Sequence, residues 1–143
     1  MSNEAMKERE WFSYGVRVRY QETDQMGVVY HANYLTWLEI ARTEYIRDRG
    51  FPYKRMEELG LLLPVVGAEL KYVRPARYDD EVSILTRVTS YTTVKLEFEY
   101  EVRRGEELLV TGLTRHAWVN LSWKPVRIDK EVPELYEWLQ RGG

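Results

Sequence analysis

The segment NYLTWLEIARTEYIRDRG, residues 33–50, carries apolar residues at helical spacing: Tyr34, Leu38, Ala41 and Tyr45, flanked by Leu35 and Ile46, make one broad stripe. Asn33 suits an N-cap. Arg47 and Arg49 stand where the negative end of a helix dipole favours cations, and Gly50 followed by Pro52 supplies the stop. The spacing therefore predicts a helix from Asn33 to about Arg49.

On either side of this helix the period falls to two. Upstream, Tyr14, Val16, Val18 and Tyr20 alternate with Arg17 and Arg19, which predicts a half-buried strand over Tyr14–Tyr20. Gln21–Met26 is polar and is ended by Gly27, a residue free to take positive φ at a turn. Downstream, a short helix is expected near Tyr53–Leu59. Val66, Ala68, Leu70 and Tyr72 then alternate with Gly67, Glu69, Lys71 and Val73, until Pro75 closes the run. Val82, Ile84, Thr86 and Val88 form one face of another strand. Val94, Leu96, Phe98, Tyr100 and Val102, interleaved with Lys95, Glu97, Glu99, Glu101 and Arg103, predict a strand dry on one face and wet on the other. After a turn at Gly105, Leu108–Ser122 reads as one long strand. Lys124–Lys130 connects it to a short terminal helix over Pro133–Leu139. A strand, a long helix and four strands make an α+β arrangement, one antiparallel sheet curled round one central helix.

A chain of 143 residues, 44% hydrophobic and 31% charged, is expected to form a single domain over 1–143, with a core near 12–123 and a C-terminal extension over 124–143. The absence of cysteine excludes disulfides, thiolate catalysis and metal–thiolate sites. Chemistry must come from oxygen or imidazole groups. The formal charge of -2 is spread along the chain without blocks of like sign, which argues against nucleic acid as a partner. Met1–Glu10 is polar, and no window approaches the run of about 18 apolar residues that a membrane span needs. The cytoplasm, with no integral membrane association, is the expected location. Eleven tyrosines and five tryptophans suit a large core or an extensive subunit contact.

QETDQMGVVYHAN, residues 21–33, places Glu22, Asp24, Gly27 and His31 between a strand and the N-terminus of the main helix, where free backbone N–H groups point outward. A carboxylate there can attack a carbonyl, or activate water to do so, while N–H groups stabilise the developing oxyanion. The same residues also have plainer readings. Asp24 can be a turn residue bonding its own backbone, and His31 can cap or pack at the helix start. Glu22 is expected to face solvent. Arg74 and Arg77, in RPARYDD over residues 74–80, and likewise Lys124 and Arg127, can meet phosphates or simply be solvated.

Residues 19–42, RYQETDQMGVVYHANYLTWLEIAR, resemble the signature of the 4-hydroxybenzoyl-CoA thioesterase family, in particular its short-chain acyl-CoA thioesterase branch. The likeness is strong at TDQMGVVYHANYL and WLEIAR, and weaker at YVRPARYDD. The resemblance implies a hotdog fold, five antiparallel strands wrapped around the helix that begins near Asn33. It also implies a homo-oligomer, a dimer joined sheet edge to sheet edge or a tetramer, with active sites at the dimer interface. The implied activity is hydrolysis of a short- or medium-chain acyl-CoA to free acid and CoA. By position in the motif, Asp24 falls at the catalytic aspartate and His31 at the residue whose backbone N–H polarises the thioester carbonyl. Gly27, Val28, Tyr30 and Asn33 fall where substrate lies, and Arg74, Arg77, Lys124 and Arg127 are the candidates for the CoA phosphates. No metal or cofactor is implied, CoA being part of the substrate. Competing expectations are a hotdog hydratase or dehydratase and a non-catalytic acyl-thioester sensor.

Overall fold

In the computed structural model, which describes residues 10–142, the alternating segments become one curved sheet. β1 (Phe12–Arg17) is followed by α1 (Asn33–Asp48), α2 (Tyr53–Glu58) and β2 (Leu61–Leu62). Next come β3 (Val65–Tyr72), β4 (Glu81–Tyr91), β5 (Lys95–Arg104) and β6 (Glu107–Ala117). β7 (Val119–Asn120), α3 (Ile128–Glu131) and α4 (Pro133–Gln140) complete the order. The main sheet has five antiparallel strands in the order β1-β4-β5-β6-β3, and β2 pairs with β7 separately. The expectation about the polar start of the chain falls mostly on residues 1–9, outside the described residues. Among the described residues no helix is long and apolar enough to cross a membrane.

Val82, Ile84, Thr86 and Val88 on β4 and Leu96, Phe98, Tyr100 and Val102 on β5 are all buried, as period two requires. Leu38, Ala41 and Tyr45 of α1 belong to the same core, with the Tyr45 ring edge-on to Phe98 at 6.3 Å. This is the hotdog arrangement, a sheet wrapped around one long helix. A small residue on β6 sets how closely helix and sheet approach: a Cβ on Gly112 would lie 3.0 Å from Leu38 Cδ1 and 3.6 Å from Tyr100 Cδ1. Gly112→Val is therefore expected to overpack the core and cost about 2 kcal/mol. That loss should appear as a lower urea midpoint at unchanged slope; an unmoved midpoint would mean that the helix can back away freely.

Four expectations need correction. The first strand ends at Arg17, because Val18 N–H turns to the Asp80 carbonyl and Tyr20–Glu22 forms a 3-10 turn, leaving Tyr20 exposed where alternation placed it inward. The long final strand ends at Ala117. There Trp118, whose indole is buried, donates its backbone N–H to the Val94 carbonyl, and Val119–Asn120 leaves to pair with β2. Asn33 is the first residue of α1 and not its cap; Ala32 holds the cap position, and the Asn33 amide donates to the Glu22 carbonyl at 2.8 Å. The segment 124–130 is not wholly a connector, since α3 begins at Ile128; in α4, Leu135, Trp138 and Leu139 are buried in the core.

A polar chain runs through this core. Arg42 Nη1 approaches Tyr100 Oη at 3.5 Å, Tyr100 Oη meets Thr114 Oγ1 at 2.6 Å, and Thr114 Oγ1 meets His116 Nε2 at 2.8 Å. His116 Nδ1 lies 3.3 Å from the Leu63 carbonyl. Donors and acceptors alternate without conflict if His116 is neutral and protonated at Nδ1. Burial, aided by the Arg42 guanidinium, pushes its pKa down to about 4 from the usual 6.5. The unfolded chain thus binds this proton more readily than the fold does. Stability is full above pH 6.5 and falls as the pH is lowered, the loss reaching roughly 3 kcal/mol by about pH 4. Urea midpoints measured between pH 7 and 4 should show this slope, flattened in His116→Gln; equal slopes in both proteins would refute it.

Candidate active site

The segment between β1 and α1 is held by a side chain expected to face solvent. Glu22 is only 7% exposed: Oε1 accepts the Arg19 N–H at 2.8 Å and Oε2 accepts the Trp37 indole N–H at 2.9 Å. Burial would raise its pKa, but the Arg19 backbone N–H, the Trp37 N–H and the Arg19 guanidinium outweigh that and hold it below the usual 4.5. Its own carbonyl accepts from the Tyr30 N–H and the Asn33 amide, so one residue ties both ends of the motif to the start of α1.

Within that frame Asp24 does what a turn residue does and keeps something in reserve. Oδ1 accepts the Met26 N–H at 2.8 Å, and Asp24 N–H donates to the Val28 carbonyl at 2.8 Å, closing a tight loop around Gly27, whose φ of 81° lies in the left-handed region. Oδ2 has no protein partner among the described residues. The half-buried carboxylate lines a cavity of about 240 Å³ whose other walls include Val28, His31, Tyr34, Tyr72 and Arg74. His31 also lines it, just before α1, with its side chain exposed and its carbonyl accepting from Tyr72 Oη at 3.2 Å. Its backbone N–H has no acceptor among the described residues, as is usual at a helix start. The cavity is therefore lined by Asp24, whose Oδ2 is unpaired among the described residues, by His31, whose backbone N–H is unused, and by an apolar wall.

The remaining candidates are dispersed. Val28 lines the cavity, whereas Gly27 shapes the turn, Tyr30 is exposed with its ring 4.6 Å from that of His31, and Asn33 is turned back toward Glu22. Arg74 lines the cavity and pairs loosely with Glu107 at 3.3 Å. Arg77 bridges to Val28 through its backbone, and its side chain is exposed. Lys124 and Arg127 belong to the segment after β7, where Arg127 is paired with Asp129 at 2.8 Å. Sequence reasoning missed Tyr72, Val73 and Pro75 as cavity walls. They lie about 40 residues from the motif, and only the return of β3 toward the start of α1 brings them there.

Residues 18–139 match the model of the Thioesterase-like superfamily. The acyl-CoA thioesterase YbgC of Haemophilus influenzae is 37% identical over 131 residues, 90% of this chain and 96% of that protein. The 1,4-dihydroxy-2-naphthoyl-CoA hydrolase of Nostoc punctiforme is 30% identical over 131 residues, 90% of this chain and 86% of that protein. Among solved structures, a DHNA-CoA thioesterase from Staphylococcus aureus superposes with a TM-score of 0.86 at 36% identity, over 89% of this chain and 87% of that one.

Proposed function

Because the chain belongs to the Thioesterase-like superfamily, we propose that it hydrolyses a short- or medium-chain acyl-CoA to the free acid and CoA, with Asp24 as the reacting carboxylate. It is a thioester hydrolase. The observation that carries the reading of the site is the pairing, in one cavity, of the Asp24 carboxylate with the acceptor-free His31 N–H. The thioester carbonyl oxygen accepts that N–H, which stabilises the negative charge as the carbon becomes tetrahedral. Asp24 then acts in one of two ways. Its free oxygen attacks the carbonyl carbon and expels CoA thiolate, and water cleaves the resulting anhydride; or it takes a proton from a water that attacks directly. Either route consumes one water, and the proton balance ends with the thiolate as CoA thiol. The steps use only a carboxylate, an N–H and water, and in this reading Arg74, which lines the cavity, receives a phosphate of CoA.

The working unit in this reading is a dimer formed through β3. That strand lies at the end of the sheet with one edge unpaired and exposes Val65, Val66 and Tyr72, the kind of edge that a second copy covers. Thiol release from a panel of acyl-CoAs running from acetyl through long-chain and aromatic groups tests the activity. Turnover is expected to be highest for short or medium chains; folded protein that releases no thiol from any of them would refute the reading.

A further inference from the structure

We propose that Tyr72 is a positioning residue for thioester hydrolysis: its hydroxyl, by bonding the His31 carbonyl at 3.2 Å, holds the turn before α1 in the setting that presents the His31 N–H to the substrate. The inference rests on the thioesterase reading above and deepens it by naming what fixes the oxyanion donor.

The turn spans residues 30–33, and its ends are well tied. Tyr30 N–H donates to the Glu22 carbonyl at 2.9 Å, the Asn33 side-chain amide donates to the same carbonyl at 2.8 Å, and Asn33 N–H closes the turn on the Tyr30 carbonyl at 2.9 Å. The last of these bonds bears on the donor directly. The Tyr30 carbonyl and the His31 N–H belong to one planar peptide and point opposite ways, so fixing the first aims the second. The middle of the turn is held differently. Its central peptide, between His31 and Ala32, is the unit whose orientation distinguishes a type I from a type II turn, the latter requiring positive φ at Ala32. Ala32 has φ −70° and ψ −22°, the type I setting, and the Tyr72 hydroxyl reaches from the end of β3 to hold the His31 carbonyl there. The N–H and that carbonyl belong to the same residue, so restraining one limits the travel of the other.

The mount of Tyr72 is firm. It is the last residue of β3, paired with Val110 of β6, and the next two residues, Val73 and Arg74, both donate their N–H groups to the Leu109 carbonyl, at 2.8 and 3.0 Å. Beyond them the buried Ala76 donates its N–H to Tyr34 Oη at 3.1 Å and accepts the Val29 N–H on its carbonyl at 2.9 Å. The segment that carries Tyr72 is thus fastened to the sheet on one side and to the motif on the other. Its ring lies 5.6 Å from that of Tyr34 and 6.3 Å, edge-on, from that of His31, and all three residues line the Asp24 cavity. A phenol has one proton to donate, and here it goes to a backbone carbonyl, so Tyr72 acts through His31 and not on the thioester itself. At 3.2 Å the bond is at the long end of its class, which sets the expected effect at about tenfold and below the roughly 10²-fold cost of a full misplacement.

Tyr72→Phe removes the hydroxyl and keeps the ring, and the side chain is half-exposed, so the variant should fold. In protein matched to wild type in urea midpoint and oligomeric state, kcat for hexanoyl-CoA should fall about tenfold with KM within about twofold, since the N–H matters most as negative charge develops. Two readouts separate positioning from a loosened cavity wall. In the free protein, hydrogen exchange of the Asn33 N–H, which closes the turn, should quicken several-fold in Tyr72→Phe. With hexanoyl-CoA bound to Asp24→Asn protein, adding Tyr72→Phe should raise the infrared stretching frequency of the thioester carbonyl as donation from the His31 N–H weakens. Any one of the three left unmoved would overturn the proposal, and wild-type turnover would then keep the hydrolysis reading intact. Conversely, wild-type protein that releases no thiol would sink the hydrolysis reading, while the exchange and infrared comparisons, which need no turnover, would still decide whether Tyr72 sets the His31 N–H.

Discussion

Asp24→Asn is expected to lower kcat for thioester hydrolysis by about 10³-fold while leaving the fold unchanged, a loss within the range that removing a general base or carboxylate nucleophile produces. The substitution is well matched to this loop. In the proposed reaction Asp24 has two duties: Oδ1 accepts the Met26 N–H and thereby shapes the turn, and the other oxygen, unpaired among the described residues, is left for chemistry in the cavity that the residue lines. An asparagine keeps an Oδ1 acceptor for Met26, so the turn persists, but its amide places N–H donors where attack or proton removal is needed. Asp24→Ala loses both functions and would mix a loop defect with a chemical one. Thiol release at saturating hexanoyl-CoA, with matched urea midpoints, is the measurement. A kcat within tenfold of wild type would remove Asp24 from the reaction.

The fold was legible where a single period persisted over many residues. The stripe from Tyr34 to Ile46 and the alternation from Leu96 to Val102 needed no long-range information, because each buries one face against a common core. Legibility failed where tertiary contacts end an element. Nothing local stops the strand before Ser122; the buried Trp118 indole and the pairing of Val119 with Leu62 do so. The site shows the same division. Asp24, Gly27 and His31 lie within eight positions of one another and could be read together. Glu22 was misread because its partner Trp37 is fifteen positions away, across a loop whose path no spacing rule supplies.

That misreading leads to a second large effect. Glu22→Ala is expected to destabilise the protein by about 4 kcal/mol, since it deletes two hydrogen bonds to a charged acceptor, each worth roughly 1.5–3 kcal/mol. It leaves the buried Trp37 N–H and the Arg19 N–H without their acceptor. The bonds from Tyr30 N–H and the Asn33 amide go to the Glu22 carbonyl and survive the substitution, so the loop should loosen without detaching. Asp24 and His31 lie on the loosened stretch, and a displacement of about 1 Å at such groups costs on the order of 10²-fold in rate. Turnover should therefore fall even in the fraction that remains folded. Glu22→Gln keeps one carbonyl acceptor and should fall between wild type and alanine in both respects. The wild-type contribution has a definite pH sign: the folded pKa lies below 4.5, so the stabilisation is present above that value and is lost as the pH falls through the lower, folded one. Urea unfolding and thiol release on the same preparations decide the matter. A stable Glu22→Ala protein with normal turnover would mean that the loop is held by its backbone alone, and that Glu22 contributes nothing to the placement of Asp24.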